Sequence, residues 1–129
     1  MVAYFAFAQR TSDEKSVRLF FFKLTEVARI SEARSIIADP HQAKRSVSGI
    51  IIPKRAPYNP EWSFHLEPAS IDFFQIQKEV CDANCTYVED HLGEIGGSTL
   101  PHSFWCPWSS HLIAEITHLI DPSNERLML

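Results

Sequence analysis

The sequence predicts an α+β fold: a single-domain two-layer sandwich with a mostly antiparallel sheet and two main helices, in the order β-β-α-β-β-α. Three observations carry this. Two aromatic, strand-like stretches near the start are joined by a short polar link, which reads as an antiparallel hairpin. Only two stretches show apolar residues at helical spacing, too few to cover both faces of a parallel sheet. A chain of 129 residues with 45% hydrophobic and 22% charged residues is the size and composition of one globular domain, here residues 1–129.

The first strand is Tyr4-Phe5-Ala6-Phe7-Ala8, and the second runs from Val17 to Leu24 after the polar turn 10–15. Phe20-Phe21-Phe22 is too apolar for a half-exposed strand, so both of its faces should be covered. Thr25 suits a helix N-cap with Glu26 in the first turn. Val27, Ile30, Ala33 and Ile37 then mark a buried stripe, and Asp39-Pro40 ends the helix, because the residue before proline avoids the helical region. Val47 to Pro53 reads as a third strand with Gly49 as a bulge. Trp62, Phe64 and Leu66 alternate with Ser63 and His65 as a fourth.

From Ser70 to Ile95 the spacing predicts one long helix. Phe74, Gln77, Cys81, Cys85, Val88, Leu92 and Ile95 step by three or four, and Gly96-Gly97 follows as a C-cap. The alternative for its start is a strand through Ile71-Asp72-Phe73-Phe74. Leu112 to Leu119 fits a strand and a helix equally well.

Charge is unevenly distributed. Net charge is −4, yet ten of the twelve basic residues and only five of the sixteen acids lie in residues 1–55, leaving +5 there and −9 in the remainder. The two parts should neutralise each other once folded. An acidic chain argues against a nucleic-acid partner. The longest apolar run, Leu19 to Phe22, is far short of a membrane span, and no signal-like segment opens the chain, so the expected setting is soluble and cytoplasmic. Three cysteines are too few and too odd in number for a disulfide scaffold.

The stretches FKLTE, ISEAR, APYNPEWSFHLEP, EVCDAN, YVEDHLGEIGG and WCPWSS resemble a family of small bacterial domains that also occur as modules in larger microbial proteins. The similarity runs from about Tyr4 to Ser110. It implies one complete domain and brings no known activity, cofactor or catalytic residue with it.

Candidate chemistry gathers around PHSFWCPWSSH, residues 101–111. Tryptophans beside prolines make rigid platforms for ligands, so a binding rim of Trp108, Trp105, His65, His102 and Tyr58 is the leading functional reading. Trp105 is expected to be the buried anchor and Trp108 the exposed rim. Cys81, Cys85, Cys106 and His102 have the chemistry of zinc ligands, but their spacing matches no paired signature. Packing as inert core thiols is the preferred reading of the cysteines, ahead of a disulfide from Cys106 to Cys81 or Cys85. An enzyme using a Cys106 thiolate or a bound metal with a nearby histidine is the alternative function. Glu67, Asp72, Glu89, Asp90 and Glu94 read as a solvated face. No glycine pattern cradles a phosphate. The expectation is a non-enzymatic binding domain without a cofactor. It recognises a small molecule or a protein, and self-association through a sheet edge is open.

Overall fold

The chain is described by a computed structural model covering residues 1–10, 16–75 and 81–128. Of the polar turn expected at 10–15, Arg10 belongs to the first strand and residues 11–15 lie outside the described residues, as do Ile76, Gln77, Glu79 and Val80 of the expected long helix.

Strand β1 (Ala3–Arg10) pairs antiparallel with β2 (Val17–Leu24), in register from Ala3 with Leu24 to Arg10 with Val17. Helix α1 (Val27–Ala38) follows, then β3 (Ser46–Ile52), β4 (His65–Leu66) and β5 (Asp72–Phe74). After a short helix α2 (Cys85–Asp90), β6 (Ile95–Gly96) pairs in parallel with β7 (Thr99–Pro101). Strands β8 (Phe104–Trp105) and β9 (His111–Glu115) complete the order. One sheet runs β2-β1-β9; in the other, β3 is central and pairs with β4, β5 and β8. Both are antiparallel, so the α+β class holds.

The period of two decides what is inside. Phe5, Phe7, Phe20 and Phe22 point from the first sheet into one cluster with Trp62, Phe64, Phe73 and Trp105 from the second, and with Ile30, Ala33 and Ile36 of α1. The opposite face of β1 presents Tyr4 and Ala6 to Ala56, Tyr58, Ile116 and Ile120, with Phe21 packed alongside. Both faces of the phenylalanine run are thus covered, as its composition demands. Edge groups of this sheet are also engaged. Phe21 N–H donates to Asn59 Oδ1, Trp62 Nε1–H donates to the Leu19 carbonyl, and Leu112 N–H donates to the Arg45 carbonyl.

The long helix is the main correction. Where it was expected, a 3-10 turn at Pro68–Ser70 leads into strand β5, and among the described residues the α-helix there is the short Cys85–Asp90. Cys81, Cys85 and Val88 are buried as their spacing implied, but residues 82–84 are not helical, and long-range bonds engage Asp82 and Ala83 there. Asn84 starts the helix instead, its side chain accepting the Tyr87 N–H. The cap of α1 is Glu26 rather than Thr25, without a side-chain bond. Val27 is 65% exposed, and Ile36 takes the buried place expected of Ile37. Gly49 is not a bulge but a regular pair of Trp105; a Cβ there would stand 3.3 Å from the Leu66 methyls. Gly96-Gly97 follows not a long α-helix, since α2 ends at Asp90, but a 3-10 turn at Leu92–Glu94, where Gly97 N–H donates to the Glu94 carbonyl. The ambiguous 112–119 stretch resolves into β9 followed by a 3-10 turn at Thr117–Leu119.

Among the described residues, four of the five ion pairs join the basic first part to the acidic second part: Arg18–Glu61, Lys23–Glu125, Arg29–Asp72 and Arg34–Glu115. The Arg34 guanidinium, with the Thr117 hydroxyl, holds the Glu115 carboxyl below its usual range. Each exposed pair contributes only about 0–1 kcal/mol. Stability should nevertheless fall as sodium chloride rises from about 10 to 200 mM, because the Debye length shrinks from roughly 30 Å to below about 8 Å. Urea denaturation at each salt concentration checks this; a flat or rising midpoint contradicts it.

Candidate functional site

The tryptophan loop is built outward from β3. His102 and Ser103 form a turn at φ of 63° and 61°, closed by Ser103 N–H donating to the Leu100 carbonyl at 2.9 Å. Gly96 makes room for it: at φ of 89°, a Cβ there would lie 2.8 Å from Ser103 Oγ. β8 then pairs Phe104 with Ile50 and Trp105 with Gly49. Alternation sends Trp105 inward and leaves Phe104 37% exposed.

Trp105 is fully buried, its ring centroid 5.4 Å from Phe20, 5.6 Å from Phe64 and 5.8 Å from Phe7. Its Nε1–H donates to the Ala83 carbonyl at 2.8 Å. Cys106 N–H donates to the Cys81 carbonyl at 2.8 Å, and Trp108 N–H to Asp82 Oδ1 at 2.9 Å. A Cys81–Cys106 disulfide closes the same junction. The Ser110 hydroxyl fastens the far end, accepting from Val47 N–H and donating to the Pro107 carbonyl. Gln9, buried in β1, bridges the last gap. Its amide nitrogen donates to Ser109 Oγ, and its oxygen accepts the Cys85 N–H.

The preferred reading of three inert core thiols is therefore corrected. The turn after β7 and the pairing of β8 bring Cys106 to 5.1 Å from Cys81 between Cα atoms, which is disulfide distance. Cys85 alone stays free, and burial pushes its thiol up to about 12. With Cys81 and Cys106 bonded to each other, neither supplies a thiolate to a metal, and a Cys106 nucleophile has no thiol to act with. Groups of three or more metal-ligating side chains do not occur among the described residues.

The five candidate binding residues do not converge. Trp105 is core, as expected of the anchor, and Trp108 is half-buried. His102 is exposed in its turn. Tyr58 is buried against Tyr4 in the second cluster, 6.3 Å from the His65 ring between centroids. His65 Nδ1 lies 2.6 Å from the Lys54 carbonyl oxygen. Burial, and then the nearby Glu125 carboxylate, raise the Tyr58 hydroxyl above its usual value.

A concavity with ligand dimensions, one of several on the described surface, lies elsewhere on the same loop, on the outer face of β5-β3-β8. Ser46 and Ser48 on β3, Phe74 and Asp72 on β5, and Phe104 on β8 all project there by register. They frame a groove of about 460 Å³ whose lining includes Lys44, Ser48, Asp72, Phe74, Phe104 and Cys106. Ser46 Oγ donates to the Trp108 carbonyl, placing the Trp108 backbone at one end of this face. Asp72 Oδ1 is already held by Arg29 at 3.0 Å and by Phe73 N–H at 2.8 Å. Sequence reasoning missed Phe74 and Phe104. The usable signals were the strand alternative at 71–74 and the rule that the neighbour of a buried strand residue faces out.

Trp105→Ala should cost about 3–5 kcal/mol, the range for a buried aromatic. Trp108→Ala should cost less than half as much. Chemical denaturation of both variants tests this, and a larger loss for Trp108→Ala would reverse the assigned orientation.

The sequence profile described as the BP-74 N-terminal domain matches residues 1–119, which include both sheets, α1, the disulfide and the groove. No curated protein and no solved structure matches the chain. With its two sheets and tryptophan loop inside that match, the chain belongs to the BP-74 N-terminal domain family.

Proposed function

We propose that this domain is a binding module for a small molecule, with its site in the groove on the outer face of β5-β3-β8. The observation that carries the reading is the groove itself. At about 460 Å³ it falls within the roughly 300–1,000 Å³ of small-molecule sites. It has the usual make-up too, apolar walls from Phe74 and Phe104 with a few polar side chains between them. The disulfide and the Trp105 anchor sit directly behind Phe104, so that wall is pre-positioned and little ordering cost remains for binding. Of the residues expected to bind, Trp108 approaches this face through its backbone, bonded to Ser46, while Trp105, Tyr58 and His65 serve by packing.

Support for binding over catalysis comes from the site chemistry. The groove's sulfur is in a disulfide, and its carboxylate is already paired with Arg29. The disulfide also favours an oxidising compartment over the cytoplasm expected from the leading residues. No helix among the described residues is long and apolar enough to cross a membrane.

A fragment screen followed by ¹⁵N–¹H correlation spectra tests the reading. Apolar-ring fragments should shift amides of residues 46–50, 72–75 and 104–106. Phe104→Ala should abolish those shifts while leaving the fold intact, since the ring is partly exposed. Shifts clustered away from the outer sheet face, or unaltered in Phe104→Ala, contradict it.

A further inference from the structure

Resting on the groove reading, we infer that the ligand class is a small aromatic carboxylate, its ring between Phe74 and Phe104 and its anionic group on Lys44. The polar groups left over in the groove decide this. Asp72 is the groove's carboxylate, and its Oδ1 is committed to Arg29 and to Phe73 N–H. Ser48 Oγ donates to the Asp72 carbonyl at 3.4 Å. Gln42 Oε1 accepts the Lys44 N–H at 3.3 Å, which leaves its amide NH₂ as a donor. Lys44 is exposed, and no carboxylate among the described residues pairs with its ammonium. Among the described lining residues the Lys44 ammonium and the Gln42 NH₂ are thus open donors, and with the Asp72 charge offset by Arg29 the Lys44 end of the groove is positive, inside a chain of net charge −4. A carboxylate accepts from several donors at once and complements the charge. The two phenyl walls select a flat apolar body through offset or edge contacts. A cationic ligand would meet the Lys44 ammonium, and the Asp72 charge is already offset by Arg29.

Two probes that share a ring and differ in the head group separate this inference from the reading beneath it: 3-phenylpropionate and 3-phenylpropan-1-ol. Dissociation constants come from ¹⁵N–¹H titrations at about 20 mM ionic strength, where screening is weak. Wild-type protein should bind the carboxylate about two- to five-fold more tightly than the alcohol, the range of a solvent-exposed charge pair. Lys44→Gln should remove that preference and leave the alcohol's affinity unchanged, while Lys54→Gln, outside the groove, should change neither. Equal binding of the two probes to wild-type protein, or a preference that survives Lys44→Gln, overturns the carboxylate assignment while the groove stands. Failure of both probes to shift groove amides at millimolar concentration overturns the groove and the assignment together.

Discussion

The rest of the structure depends on how the Trp105 indole is seated. It lies between the two sheets, against Phe7 of β1, Phe20 of β2 and Phe64. A buried indole N–H without a partner would cost about 1–3 kcal/mol, and the Ala83 carbonyl removes that penalty. One bond thereby ties the second sheet's edge to the segment leading into α2. The disulfide and the bonds from Cys106 and Trp108 repeat the connection beside it. Residues 82–84 are drawn out of helical structure as a consequence.

This tie also explains what could and could not be read from sequence. The hairpin, α1 and the alternation at Trp62, Phe64 and Leu66 were legible because each is local: the pattern lies within one element and its burial follows from the period. The 70–95 stretch was misread because an apolar spacing of three and four fits any segment that buries every third or fourth residue. Cys81, Cys85 and Val88 do face inward, but the bonds that hold residues 81–85 run to Gln9, Trp105 and Cys106, far along the chain. No local pattern reports a bond of that kind. Asn84, a good N-cap just before Cys85, was the one nearby clue that the helix restarts there.

The candidate site was legible in part. The tryptophan loop was singled out and Trp105 was assigned to the core, yet the outward neighbours of the anchor were overlooked. A strand that buries Trp105 must expose Phe104, and a strand that buries Phe73 must turn Phe74 to the opposite face. Where the outer faces of three short strands meet over small Ser46 and Ser48, large side chains on either side leave a trough. Groove and core are thus two faces of one piece of sheet, and the anchoring that stabilises the inner face holds the outer one in shape. The charge division contributes in the same place: Arg29, from the basic part, pairs with Asp72, and no carboxylate among the described residues pairs with Lys44.

The claim that the loop is stapled to residues 81–83 is tested most directly by peptide mapping of native protein under non-reducing conditions, with free thiols alkylated after unfolding. The structure calls for a cross-linked pair of peptides carrying Cys81 and Cys106, and a single alkylated cysteine, Cys85, that reacts only once the protein is unfolded. Three alkylated cysteines, or a bridge from Cys85 to Cys106, would contradict it.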